Sequence, residues 1–414
     1  MTVFQTIAIL LTFAAAGSYI NKRFLHLPTS VGMMFLTLLM SWAAMLCARM
    51  GLIDLTPASA FVSNIDFANV FLHGMLSFLL FAGALHVDLG ELRKFRTIVA
   101  ILATVGVLIA VFVTGTLIWA TAWELNFDMP YINALLFGAF IAPTDPVAVI
   151  GILKGSPVGK ALRLKISSES LLNDGVGVVI FLIFLNFTTH PEAATHIDWN
   201  NILVLITWAS VGSIALGLSL GWLAYVLLGG IDDYKTEILL TLALASGGYC
   251  LAETINVSAP ITMVIAGLVI GNHGRTFVMS DKTRKHLDMF WELLDDILNS
   301  ILFVLIGLEM MVIPLTVPLL SIGLIAIVAT LIGRFVSVAL PISLMRMRIR
   351  FEKGTIRLMT WGGLRGGISI AMALSLPASP YKNIILGMTY LTVVFSVLFQ
   401  GTTFSHVVKR VLRG

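Results

Sequence analysis

Five ionisable side chains lie deep within apolar runs of this chain: Asp145, Glu169, Asp174, Arg334 and Arg365. A charged group at the middle of a bilayer costs about 2.5–3.5 kcal/mol on insertion scales, so those that persist tend to be paired or functional. On a helix, Ser170 and Asp174 are neighbours at i,i+4, as are Glu169 and Asn173, and two polar stripes run side by side. Carboxylate, hydroxyl and freed backbone oxygens are the groups that replace water around a hard monovalent cation. Asp174, Asp145, Ser170 and Thr144 supply them here. A proton competes for the same carboxylate, because a buried carboxylate needs a compensating charge. Mutually exclusive occupancy by proton and cation is then enough for exchange.

Structural roles compete with this reading at several positions. Asp145, beside Pro146, either caps the N-terminus of a half-helix or ligates the cation. Glu169 and Arg334 read as a buried ion pair that orders a helix bundle. Asn173 either ligates weakly or holds a helix break. Arg365, set among glycines, is a field-setting cation or a half-helix C-terminal cap. Asp174 has no such structural explanation. Glu309 falls near a span end and reads as a headgroup-level residue.

Two helix breaks must position these groups. In Ala142-Pro143-Thr144-Asp145-Pro146 two prolines remove two backbone donors and clash with the preceding turn. Trp361–Gly367 holds four glycines around Leu364 and Arg365. Unwound backbone at membrane depth is tolerated only where it lines a cavity or is buried in protein. Paired breaks in two halves of a chain point to a secondary transporter's binding site.

Apolar windows of about 20 residues predict thirteen spans: 3–20, 28–48, 66–86, 97–123, 131–152, 165–187, 200–228, 234–252, 258–272, 294–313, 315–345, 356–375 and 383–405. The breaks fall in spans five and twelve. These correspond if one to six repeat as eight to thirteen, and the intervening seventh makes that repeat inverted. The expected architecture is therefore an all-α polytopic membrane protein in a single domain. It comprises a first repeat over 3–187, a linker helix over 200–228, a second repeat over 234–405 and a short cytoplasmic tail over 406–414.

Composition agrees. Of 414 residues 58% are hydrophobic and 12% charged, against about 25% charged in soluble domains, and mean hydropathy is +0.97. A soluble enzyme, a nucleic-acid binder and a disordered chain are excluded. The net charge of +4 hints at an anionic partner only until the 26 Lys and Arg are sorted by side. Arg334 and Arg365 lie within spans, Arg49 and Lys382 on one side, and the remaining 22 on the other. That bias predicts an odd number of spans, with the N-terminus outside and the C-terminus in the cytoplasm. Thr2–Ile20 has no preceding positive charge and reads as a retained span, not a signal peptide.

Other chemistries find little support. Cys47 and Cys250 form no disulfide or metal framework. The eight histidines are scattered, mostly near span ends, without a metal-like cluster. No phosphate-binding loop, nucleophile elbow or haem motif occurs, and no cofactor is expected beyond the transported ions. Two other functions remain to be weighed: a carrier of another small ligand on a similar scaffold, and an intramembrane hydrolase with Asp145 and Asp174 as an acid/base pair.

Four segments in this order, Ala142–Val149, Glu169–Val179, Gly333-Arg334 and Trp361–Gly367, resemble the NhaP-type sodium/proton antiporters. These belong to the first cation/proton antiporter family, which includes the animal exchangers, and the resemblance spans nearly the whole chain. It implies an inverted-repeat fold with a core and a dimerisation domain, working as an elevator-like homodimer in a bacterial or archaeal plasma membrane. It implies that Asp174 carries both proton and cation (Na+ or Li+, with K+ a further candidate). Asp145, Thr144 and Ser170 would lie at or beside the ion, and Glu169 would pair with Arg334. The Asn173-Asp174 pair is similar to the electroneutral branch, which implies one proton per cation. One departure stands out: where many relatives carry an acidic residue in span three, this chain has Phe81-Ala82-Gly83.

Overall fold

A computed structural model describes residues 3–63, 65–125, 127–145, 149, 160–189, 204, 207–313, 316–347, 349 and 351–413. All regular structure among the described residues is helical. The chain begins with α1 (Val3–Ile20), α2 (Thr29–Arg49) and the short α3 (Thr56–Ser63). Next come α4 (Phe67–Leu85), α5 (Leu89–Glu124) and α6 (Tyr131–Ile141). The middle holds α7 (Lys160–Thr189), α8 (Trp208–Gly229), α9 (Tyr234–Thr254) and α10 (Ala259–Gly274). Then α11 (Asp281–Glu309) and α12 (Val317–Met345) follow, and the broken pair α13 (Thr355–Trp361) and α14 (Gly367–Leu374). Finally α15 runs from Lys382–Phe395 through a π turn into Gly401–Arg413. Eight of these helices are long and apolar enough to cross a bilayer, and α6 and α10 are shorter apolar helices.

Local sequence sets the boundaries. Proline needs no backbone donor, so it suits a helix's first turn: Pro260 and Pro318 occupy it in α10 and α12, and Pro28 and Pro130 precede α2 and α6. Side-chain caps satisfy orphan N–H groups. Asp88 accepts from the N–H of Gly90 at 2.8 Å at the start of α5, and Ser280 from that of Thr283 at 3.3 Å at the start of α11. Asp233 accepts from the N–H and hydroxyl of Thr236 at the start of α9, which holds its carboxyl below the usual carboxylate range.

Several expected limits shift. Helix α5 starts at Leu89 rather than near 97, and α11 at Asp281 rather than 294. The expected tail 406–414 is helical through Arg413. All three extensions are polar turns beyond the apolar window, where water solvates the charges while the backbone ladder continues. Glu309 is not solvated at a headgroup level but 8% exposed, packed inside the protein at the end of α11. The second half of span five, the start of span seven, Pro146, Pro314, His190 and His196 lie outside the described residues.

Glycines let the helices approach closely, as small residues do in membranes. A Cβ on Gly138 of α6 would lie 2.5 Å from the Val111 carbonyl of α5, and one on Gly217 of α8 2.7 Å from the Thr262 carbonyl of α10. Helices α5, α6, α7, α12 and α15 pack around one another, and α4, α8, α9 and α10 around a second centre. Helix α11 packs on α1, α2 and α9.

Candidate ion-binding site

Two unwound segments meet at the centre of the molecule. Helix α6 ends at Ile141, and the backbone over Pro143–Asp145 is not helical. Likewise the chain leaves α13 after Trp361 and re-enters a helix at Gly367. The Asp145 N–H donates to the Leu364 carbonyl at 2.7 Å, so the two breaks pair through their backbones. Unwinding frees carbonyls that need partners. The Arg365 guanidinium supplies them, donating to the carbonyls of Ala142 and, at 2.9 Å, Pro143. Arg365 thus sits on the C-terminal end of the other broken helix. Its own N–H donates at 2.9 Å to Ser396 Oγ, which in turn donates to Gln400 Oε1 at 2.7 Å.

Helix α7 presents the polar stripes to this crossing. The amide of Asn173 accepts from the Thr144 N–H at 3.1 Å and donates to Thr144 Oγ1 at 2.8 Å and Glu169 Oε1 at 3.0 Å. The two contacts to Thr144 join the unwound segment to α7, and the third, to Glu169, stays within α7. Ser170 Oγ and Thr144 Oγ1 share a hydrogen bond of 2.9 Å. Glu169, fully buried, meets Arg334 of α12 in a two-pronged pair of 2.7 and 2.8 Å. Arg334 also donates to the Met359 carbonyl of α13 at 3.2 Å, tying α7, α12 and α13 together.

Asp174 is 5% exposed and lines a cavity of about 380 Å³ together with Pro143, Thr144, Asp145 and Gly366. Ser170 and Asn173 stand just behind this wall, joined to it through Thr144. Thr144 is fully buried, whereas Asp145 is partly exposed. Two close approaches shape the wall. A Cβ on Gly366 would overlap the Asp145 carboxylate, and one on Gly177 would overlap the Pro143 ring. Among the described residues no basic side chain forms an ion pair with Asp174, since Arg334 is engaged by Glu169 and Arg365 by backbone carbonyls. The Asp174 carboxylate thus faces the cavity without a basic partner among the described residues. The segment that Asp145 would cap begins at Pro146, outside the described residues.

The sequence reading missed part of the cavity. Glu292, Asp295, Asp296, Asn299 and Ser300 of α11 also line it. Their spacing of i, i+3, i+4, i+7 and i+8 marks one helix face, but an apolar window starting at 294 divides that face. Ala82 also lines the cavity, offering a methyl group at the position where the resemblance gives many relatives an acidic side chain.

Comparison with known proteins follows the same lines. The family model described as the transmembrane sodium/hydrogen exchanger matches residues 8–410. The chain is 43% identical to the Na(+)/H(+) antiporter NhaP of Pseudomonas aeruginosa, over 96% of this chain and 94% of that one. It is 33% identical to the Na(+)/H(+) antiporter NhaH of Halobacillus aidingensis, over 72% of this chain and 73% of that one. Its fold is similar to that of the sodium proton antiporter MjNhaP1 of Methanocaldococcus jannaschii, with a TM-score of 0.74 at 20% identity and full coverage of both chains. With a family match over almost its entire length, the chain belongs to the transmembrane sodium/hydrogen exchanger family.

Proposed function

We propose that the protein is a secondary antiporter that exchanges Na+ or Li+, with K+ a further candidate, for a proton, and that both compete for Asp174. The observation that carries this is a buried carboxylate facing a cavity, with hydroxyl oxygens beside it and no basic partner among the described residues. With Asp174 ionised, Thr144 Oγ1, Asp145 and backbone oxygens complete an oxygen shell for a dehydrated cation, and Ser170 supports it from behind. With Asp174 protonated the site is electrically equivalent and holds no cation. Because the proton-loaded and cation-loaded forms carry the same charge, exchange is one for one and electroneutral. Asn173 is neutral and fully engaged, so it adds no second charge to the cycle.

Alternating access requires the site to move relative to its surroundings. The helices that carry it, α5, α6, α7 and α12 to α15, pack as one group, while α4 and α8 to α10 pack as another. Sliding of the first against the second would carry Asp174 across the membrane without dismantling the crossed breaks. Exposed aromatic and aliphatic side chains such as Tyr19, Trp208, Trp222 and Leu239 face lipid or, in a homodimer, a second copy. The side rich in Lys and Arg is cytoplasmic, which places the N-terminus outside in the plasma membrane of a bacterium or archaeon. Reconstitution with a pH-sensitive dye tests the exchange: adding Na+ or Li+ dissipates an imposed pH gradient in wild type and fails to do so in Asp174→Asn.

A further inference from the structure

A second concavity, of about 870 Å³, lies between the end of α15 and the start of α13, far along the chain from the Asp174 site. Its polar wall is Arg357 of α13 with His406, Lys409 and Arg410 of α15, and its apolar wall is Val407 and Val411. On α15 Thr403, His406, Val407 and Arg410 share one face by their spacing of three and four, with Lys409 and Val411 on its flanks. The opposite face buries Phe404 and Val408 completely and fixes the helix to the protein. Thr403, at the top of the cavity, accepts the Trp361 indole N–H at 3.0 Å, so α13 and α15 are tied at that level.

Depth identifies the surroundings of this cavity. Phe399, one turn before Thr403, is 51% exposed and packs edge-on against Trp361. An exposed aromatic side chain with a tryptophan beside it marks the edge of the hydrocarbon layer. Arg357, four residues before Trp361, stands about 6 Å along the helix axis from it, at headgroup depth, and the longer-reaching Arg410 side chain lines the same cavity from further out. Arg357, Lys409 and Arg410 are exposed, and no carboxylate is among the described residues lining the cavity. Fixed positive charge is thus gathered there against an apolar wall that a free anion in water would not need.

We propose that this cavity binds the headgroup of one anionic phospholipid of the cytoplasmic leaflet. The phosphate lies between Arg357 and Arg410, whose guanidinium forks suit phosphate oxygens. Lys409 adds charge, the glycerol lies on Val407, and the upper acyl chain runs back along Phe399. The bound lipid bridges α15 to the first half of the broken helix that carries Gly362–Gly367, and so braces the element behind the ion site. The proposal rests on this face being cytoplasmic and is independent of which ions are exchanged.

Native mass spectrometry of delipidated protein, titrated with dioleoyl-phosphatidylglycerol or dioleoyl-phosphatidylcholine, tests it. Wild type is expected to retain one phosphatidylglycerol per chain at concentrations where phosphatidylcholine leaves none. At about 1 kcal/mol, or roughly fivefold, per basic residue, R357Q/K409Q/R410Q should bind it about a hundredfold more weakly. Val407→Trp, which fills the cavity without changing charge, should also weaken it. Lys22→Gln with Arg23→Gln, on the same side but away from the cavity, should not. Folding of each variant is checked by circular dichroism and size exclusion. The proposal is overturned if a folded triple variant or Val407→Trp binds phosphatidylglycerol as wild type does, or if the Lys22/Arg23 variant loses as much. Displacement of the lipid by millimolar inorganic phosphate would overturn it too, assigning the cavity to a free anion.

Discussion

At Asp174 the deciding quantity is charge compensation. In the proposed exchange the Asp174 carboxylate, 5% exposed, is neutralised by either a proton or a cation, so removing its charge should remove the exchange. Asp174→Asn should show no cation-dependent proton movement in everted vesicles. Ser170→Ala, which removes the hydroxyl behind Thr144, should leave exchange intact but raise the cation concentration for half-maximal rate several-fold. Glu169 behaves differently, because its partner Arg334 is itself buried. Breaking a buried pair from one side costs about 3–5 kcal/mol. Glu169→Gln should therefore lower the thermal unfolding temperature sharply, and Glu169→Gln with Arg334→Gln should cost less than the sum of the two single changes. The ion pair and the oxygen groups were legible from residue types and helical spacing. What Asn173 and Arg365 bond to was not, since those contacts depend on how two separate breaks cross.

The elements matter through their interruptions. Pro143 and the glycines of Trp361–Gly367 announced both breaks, because each removes helical hydrogen bonds or helix propensity at a defined place. Their mutual pairing, from the Asp145 N–H to the Leu364 carbonyl, is a tertiary contact without local signature. The acidic face of α11 escaped for a different reason. Hydropathy detects where lipid must be, and Glu292, Asp295 and Asp296 lie where α11 passes from charged first turns into an apolar second half. Helical periodicity over 288–303 would have found them. Gly177 tests the importance of the break's position, since its missing Cβ admits the Pro143 ring. Gly177→Ala should cost about 1–3 kcal/mol of stability through overpacking and slow exchange. Wild-type turnover in that variant would show that the contact does not position the site.

On the scale of the whole molecule, composition and the distribution of Lys and Arg already required a polytopic membrane protein, and family and fold agree. The length of each helix was less legible, because polar turns continue beyond the bilayer at Leu89, at Asp281 and through Arg413. The proposed electroneutral exchange has a consequence that no single residue carries: a membrane voltage imposed with valinomycin and K+ should neither drive nor halt Na+ uptake into proteoliposomes. Uptake proportional to voltage would mean unequal charges in the two loaded forms. The competition at Asp174 is tested most directly by dye-monitored proteoliposomes carrying an imposed pH gradient, wild type beside Asp174→Asn. Dissipation of the gradient by Na+ or Li+ in wild type, and none in the variant, is the predicted result. Full activity in folded Asp174→Asn, or no response of folded wild type to Na+, Li+ or K+, would contradict it.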